Sequence, residues 1–168
     1  MEFCIPFLAI LALTALPVGI ILGFAAIKAG QRKRFQSGII KNKTHELSTG
    51  VWFCIRYASE RKYKRWLKFF PWETSGIIHA DANRLTLYLE KLNNQSDVSI
   101  SLDSRAIRIG WAGTEVLRNG VASWLIIEAG YERHYITSET GMFVFNSASS
   151  TRRMYEELAK IANQPVEQ

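Results

Sequence analysis

Residues 84–92, Arg84-Leu-Thr-Leu-Tyr-Leu-Glu-Lys-Leu92, set Leu85, Leu87, Leu89 and Lys91 on one side and Arg84, Thr86, Tyr88 and Glu90 on the other. A two-residue period is that of an extended chain, so this stretch predicts a half-buried strand. On its N-terminal side stand the turn-forming Asp81-Ala82-Asn83 and a short apolar run over 76–80. On its C-terminal side residues 93–96 read as a turn. Val98, Ile100 and Leu102 then alternate with serines, and Ile107, Ile109 and Trp111 alternate with Ala106, Arg108 and Gly110. Beyond a longer loop at 113–120 come an apolar strand at 123–129, a hairpin connection at 130–133, and strands at 134–137 and 142–145. Residues 50–57 supply a further strand. The chain closes with a helix over 149–162, capped by Ser149 or Ser150 and carrying Met154, Leu158 and Ile161 on one face, flanked by Tyr155 and Ala162. Pro165 stops it, and 164–168 form a tail expected to fray.

This order of elements resembles a bacterial pleckstrin-homology-like (PH-like) domain. The residues behind the resemblance are Trp124-Leu-Ile-Ile-Glu-Ala-Gly-Tyr-Glu-Arg-His-Tyr-Ile-Thr137, Phe143-Val-Phe145 and the Ser-rich helix start, and it covers roughly 75–163. It is a resemblance of pattern, not of motif. It implies an α+β fold, with an antiparallel curved sheet or partly open barrel of about seven strands closed by a C-terminal helix. It also implies a binding platform rather than an enzyme, with ligands ranging from lipid headgroups to peptides. The basic loop that marks phosphoinositide-binding members is not evident between the first two strands, so inositol-lipid specificity does not carry over.

The N-terminal part has a different character, since residues 3–27 contain no charged side chain in 25 positions. At about 1.5 Å per residue such a helix exceeds the ~30 Å hydrocarbon core of a bilayer. The expectation is a single-pass membrane protein with residues 1–27 as the transmembrane helix. A cleavable signal peptide is disfavoured by the start Met1-Glu2, which lacks a basic leader, and by the length of the run. Lys28, Arg32, Lys33 and Arg34 flank the C-terminal end, which places the N-terminus outside and the soluble domain in the cytoplasm. The resemblance to bacterial PH-like domains implies a bacterial inner membrane. Ala15, Gly19 and Gly23 recur every four residues as a helix-packing stripe, for self-association or another membrane protein. Pro17 bends the helix.

Positive charge is concentrated after this segment. The window 28–72 carries twelve basic residues against Glu46 and Glu60, about +10 net, whereas 73–168 is about −3, within a chain of net charge +6. Residues 28–49 read as a basic linker. In 50–74 a strand is followed by a basic aromatic segment, in which Tyr63, Trp66, Leu67 and Phe70 follow helical spacing. Such a segment either lies on anionic lipid headgroups or packs its aromatic face on the domain's own core. Arg32, Lys33, Arg34, Arg61, Lys62, Lys64, Arg65, Trp66, Lys68, Phe69, Phe70 and Trp72 are the candidate lipid-surface residues. Nucleic acid is the other polyanion, but no zinc-finger, helix-turn-helix or RRM signature accompanies the charge.

No catalytic, cofactor or metal motif emerges. His45, His79 and His134 fall in unrelated segments, Cys4 and Cys54 are too far apart for a disulfide framework, and Asp81, Asp97 and Asp103 occupy turn positions. There is no GxGxxG, P-loop, GxSxG or HExxH. The expected function is a non-enzymatic, membrane-anchored adaptor or accessory subunit. The alternative is a lipid-surface module.

Overall fold

The computed structural model describes residues 4–66, 71–92, 95–115, 121–140 and 147–163, with the backbone alone for 4–18, 21, 95 and 96. Two helices lead the chain, α1 (Cys4–Asn42) and α2 (Thr44–Leu47). Then come β1 (Val51–Ser59), α3 (Glu60–Lys64), β2 (Thr74–Ala80), β3 (Arg84–Leu92), β4 (Gln95–Asp103), β5 (Ile107–Thr114), β6 (Ser123–Ala129), β7 (Glu132–Ser138) and α4 (Ser147–Ile161). The seven strands form one antiparallel sheet in the order β4-β3-β2-β1-β7-β6-β5.

Its outermost strands, β4 and β5, are joined by the three-residue turn 104–106. So short a link between opposite edges requires the sheet to curl back on itself, giving a half-barrel. The turn is tied to the one joining β2 and β3: Ser104 donates its backbone N–H to the Asn83 carbonyl at 3.0 Å and its hydroxyl to the Ala82 carbonyl at 2.9 Å. At the β6–β7 hairpin Gly130 takes φ 62°, which the two-residue connection needs and a side chain disfavours.

Inside the curl, Ile55, Tyr57, Ile78, Leu85, Leu87, Leu89, Leu125, Ile127 and Ile136 meet Met154, Tyr155 and Leu158 of α4. Alternation selects the strand residues, and helical spacing selects those of α4. Thr151 fastens α4 to the end of β7 by accepting the Ser138 N–H at 3.0 Å.

The outer face is covered as well. The C-terminal half of α1 and α2 lie on β2 and β3, where Ile39, Ile40 and Leu47 pack with Ile77 and Tyr88. Gln36 is buried there and donates to the Gly76 carbonyl at 3.2 Å. Consequently every residue of β2 is buried, as are Leu85 to Leu89 on both faces of β3, where alternation alone predicts one buried face. Residues 28–49, expected as a linker, are mostly helix and part of this packing. β1 stands between β2 and β7, so the strand of the 50–74 segment belongs to the same sheet as 75–163.

The single-pass expectation is corrected. Among the described residues no helix is long and apolar enough to cross a membrane. Over 19–42, the part of α1 whose side chains apart from residue 21 are described, any run of spanning length takes in Lys28, Arg32, Lys33 and Arg34. The side chains of 1–18 and 21, the remainder of the expected span, lie outside the described residues, as do the expected strand 142–145 and the tail 164–168.

Candidate functional site

A cluster of buried and half-buried polar groups lies where α1 crosses the outer face of the sheet beside β1 and β2. Arg56 is the single charge in the apolar run of β1 and is fully buried. Its guanidinium grips Glu139, just past β7, through two hydrogen bonds, Nε to Oε2 at 2.9 Å and Nη2 to Oε1 at 2.6 Å. Arg32 reaches the same carboxylate from α1, with Nε 3.6 Å from Oε2, and Ser75 donates to it at 3.4 Å. The Arg56 guanidinium also stacks on the Trp72 ring at 4.0 Å. Burial lowers the Arg32 pKa, with Arg56 adding to the effect, and the Glu139 carboxylate acts against it. Two guanidiniums thus meet at one carboxylate, and Glu90 also acts on the charge of Arg32. Ion pairing and stacking clamp α1, β1, β2 and the segment after β7 together.

A crevice of about 310 Å³ opens beside this clamp, between Phe24, Lys28, Gln31 and Arg32 of α1 and Trp72, Ser75, Glu90 and Lys91 of the sheet. Further toward its N-terminus α1 exposes apolar side chains. Ile20 is 64%, Phe24 57% and Ile27 63% accessible, and their spacing sets them on one helical face, with Leu22 also exposed. Leaving such side chains in water forgoes about 1.5–3 kcal/mol each. Gly19 and Gly23 have open space around them, whereas the Ala15 side chain lies outside the described residues.

The basic aromatic segment is divided by the fold. Its helix ends at Lys64, and Arg65 is already extended at ψ 134°. Tyr63 turns inward, stacked on Tyr135 at 3.7 Å and edge-on to Trp124 at 5.7 Å. Ser59 caps the short helix by accepting the Lys62 N–H at 3.4 Å. Ser59→Ala is expected to cost about 1 kcal/mol, visible in a urea melt. Arg61, Lys64, Arg65 and Trp66 remain exposed and Lys62 is partly covered. Lys68, Phe69 and Phe70 lie outside the described residues. Of the other nominated residues, Lys33 and Arg34 are exposed, while Arg32 and Trp72 are drawn into the clamp.

The histidines stay apart, and no His, Cys, Asp and Glu cluster suited to a metal stands among the described residues. His45 is exposed on α2 and His79 is buried on β2. Cys54 is half-buried and its thiol pKa is raised by burial. His134 is buried on β7, its Nδ1 3.0 Å from the Tyr57 hydroxyl. Burial lowers its pKa, which Glu132 opposes. The unfolded chain therefore binds this proton more readily than the folded one. The stability at stake is intact above the ordinary histidine value of about 6.5 and is lost as pH falls through the lowered folded value. His134→Gln should flatten the decline of melting temperature between about pH 7 and 5; an unchanged slope would show that other groups govern it.

Arg56 and Glu139 were not among the residues nominated from sequence. The available signal was one arginine inside the apolar run at 51–58. Its partner, 83 positions away, left no local trace. No protein-family model matches the chain, and no match is found among curated proteins.

Proposed function

We propose that this chain is a non-enzymatic adaptor, a PH-like binding module whose helical arm docks on an apolar helix of a partner protein or of a second copy. The observation that carries this reading is the exposed face of Ile20, Phe24 and Ile27 on a helix whose other half is fixed to the sheet through Arg32 and Gln36. A rigid attachment transmits the position of the arm to the sheet, which an adaptor requires and a loose tether would not provide. Gly19 and Gly23, open to their surroundings, let a second helix approach closely. Lys33 and Arg34, exposed beyond the apolar face, favour a partner with acidic groups after its apolar stretch. Purified in mild detergent, the full-length chain should run with a stoichiometric partner or as a defined oligomer. A lone chain at its own mass of 19.1 kDa would refute the reading.

A second reading, a lipid-surface module, is favoured by Trp66, 56% accessible and set among Arg61, Lys64 and Arg65. Changing those three basic residues to Gln should abolish salt-sensitive flotation on anionic vesicles and leave a protein complex intact. If the variant floats like the parent, this segment is not a lipid-binding device.

A further inference from the structure

We propose that the crevice between α1 and the ends of β2 and β3 binds a phosphate group, independently of what the helical arm docks on. Its volume of about 310 Å³ is at the lower end of small-molecule sites. Three cations line it: Lys28 and Arg32 from successive turns of α1, and Lys91 from the end of β3. Among the described residues neither Lys28 nor Lys91 forms an ion pair. Arg32 is only partly answered. Its Nε is buried and, among the described residues, without a hydrogen-bond partner, and the carboxylate 3.6 Å away already accepts two hydrogen bonds from Arg56 and one from Ser75.

Two carboxylates also line the crevice, and they differ. Glu73 is engaged through both oxygens by Ser59, from the hydroxyl at 2.7 Å and the backbone N–H at 3.2 Å. Glu90 is left to face the cations, and it acts on the charge of Arg32. Three cations against two carboxylates leave the lining at about +1, and its remaining demand is for an anion with several oxygens, reached by a guanidinium and two ammonium groups. A phosphate monoester presents three such oxygens to these donors, where a carboxylate presents two. The group can arrive as a lipid headgroup or as a free phosphate, since Phe24 gives the crevice an apolar wall.

The test uses the full-length chain in a phosphate-free nonionic detergent, titrated calorimetrically with inorganic phosphate and, separately, with dihexanoyl phosphatidic acid. Binding of the lipid alone identifies a headgroup site, binding of inorganic phosphate alone a free-phosphate site, and binding of both a site that reads the phosphate itself. Lys28 and Lys91 are exposed, so the double variant Lys28→Gln, Lys91→Gln should keep the fold. It should lose at least about tenfold in affinity. Glu90→Gln should bind more tightly than the parent, and Lys160→Gln on α4 should bind as the parent does. The proposal is overturned if neither probe binds the parent chain, if the double variant binds as tightly as the parent, or if Lys160→Gln weakens binding as much as the double variant.

Discussion

Glu139→Ala is expected to lower the stability of the fold by about 3–5 kcal/mol, because it leaves Arg56 buried without the carboxylate that grips it and removes the only acidic partner of Arg32 within ion-pair distance among the described residues. Taking one partner from a buried ion pair costs far more than replacing the whole pair by apolar groups, since the remaining charge keeps its desolvation penalty. At about 2–4 °C per kcal/mol for a chain of this size, the melting temperature should fall by at least about 6 °C. The double variant Arg56→Met, Glu139→Leu should recover a large part of that loss. A single variant that melts within about 2 °C of the parent would mean that the clamp does not hold the structure together.

Gly76→Ala is the second large effect, expected at about 2–3 kcal/mol. Gly76 faces Leu89 in the β2–β3 ladder, and a Cβ placed there would overlap the Tyr88 carbonyl oxygen. The obstacle is backbone, so the strands themselves must separate. The Gly76 carbonyl also receives the Gln36 amide, so the displacement would reach the seat of α1. Hydrogen exchange should therefore quicken in β2, β3 and the 36–42 part of α1 together. Faster exchange confined to the two strands would place the attachment of α1 elsewhere.

The sequence is informative where one pattern decides an element. Alternation locates β3 and a continuous apolar run locates β6, both with their full spans, and the spacing of Met154 and Leu158 finds the face of α4 that closes the core. It is silent on what covers the second face of a strand. Thr86 and Tyr88 look like a solvent face, yet Tyr88 lies under the α1–α2 corner, donates its hydroxyl to Glu46 and sits beneath Lys43. Gln36, Ile39 and Ile40 stand at helical spacing, but three residues among so many lysines and arginines are too few to set 28–49 apart from a basic linker. The basic aromatic segment offered two outcomes of equal standing, and Tyr63 took the inward one because Trp124 and Tyr135 provide an aromatic bed for it. The crevice was legible only in part: Arg32 and Trp72 were nominated, for a lipid surface, while Lys91 and Glu90 join it through the β2–β3 pairing and no local spacing announces them.

Whether the exposed face of α1 meets a partner can be read directly by placing a photo-crosslinking amino acid at position 24 of the full-length chain in its native cells, and at position 131 as a comparison. Phe24 lies on the apolar face of the arm, and Tyr131 is fully exposed at the tip of the β6–β7 hairpin. A discrete adduct of defined mass from position 24, absent from position 131, is the predicted result. Adducts from position 131 alone, or none from either site, would contradict the adaptor reading.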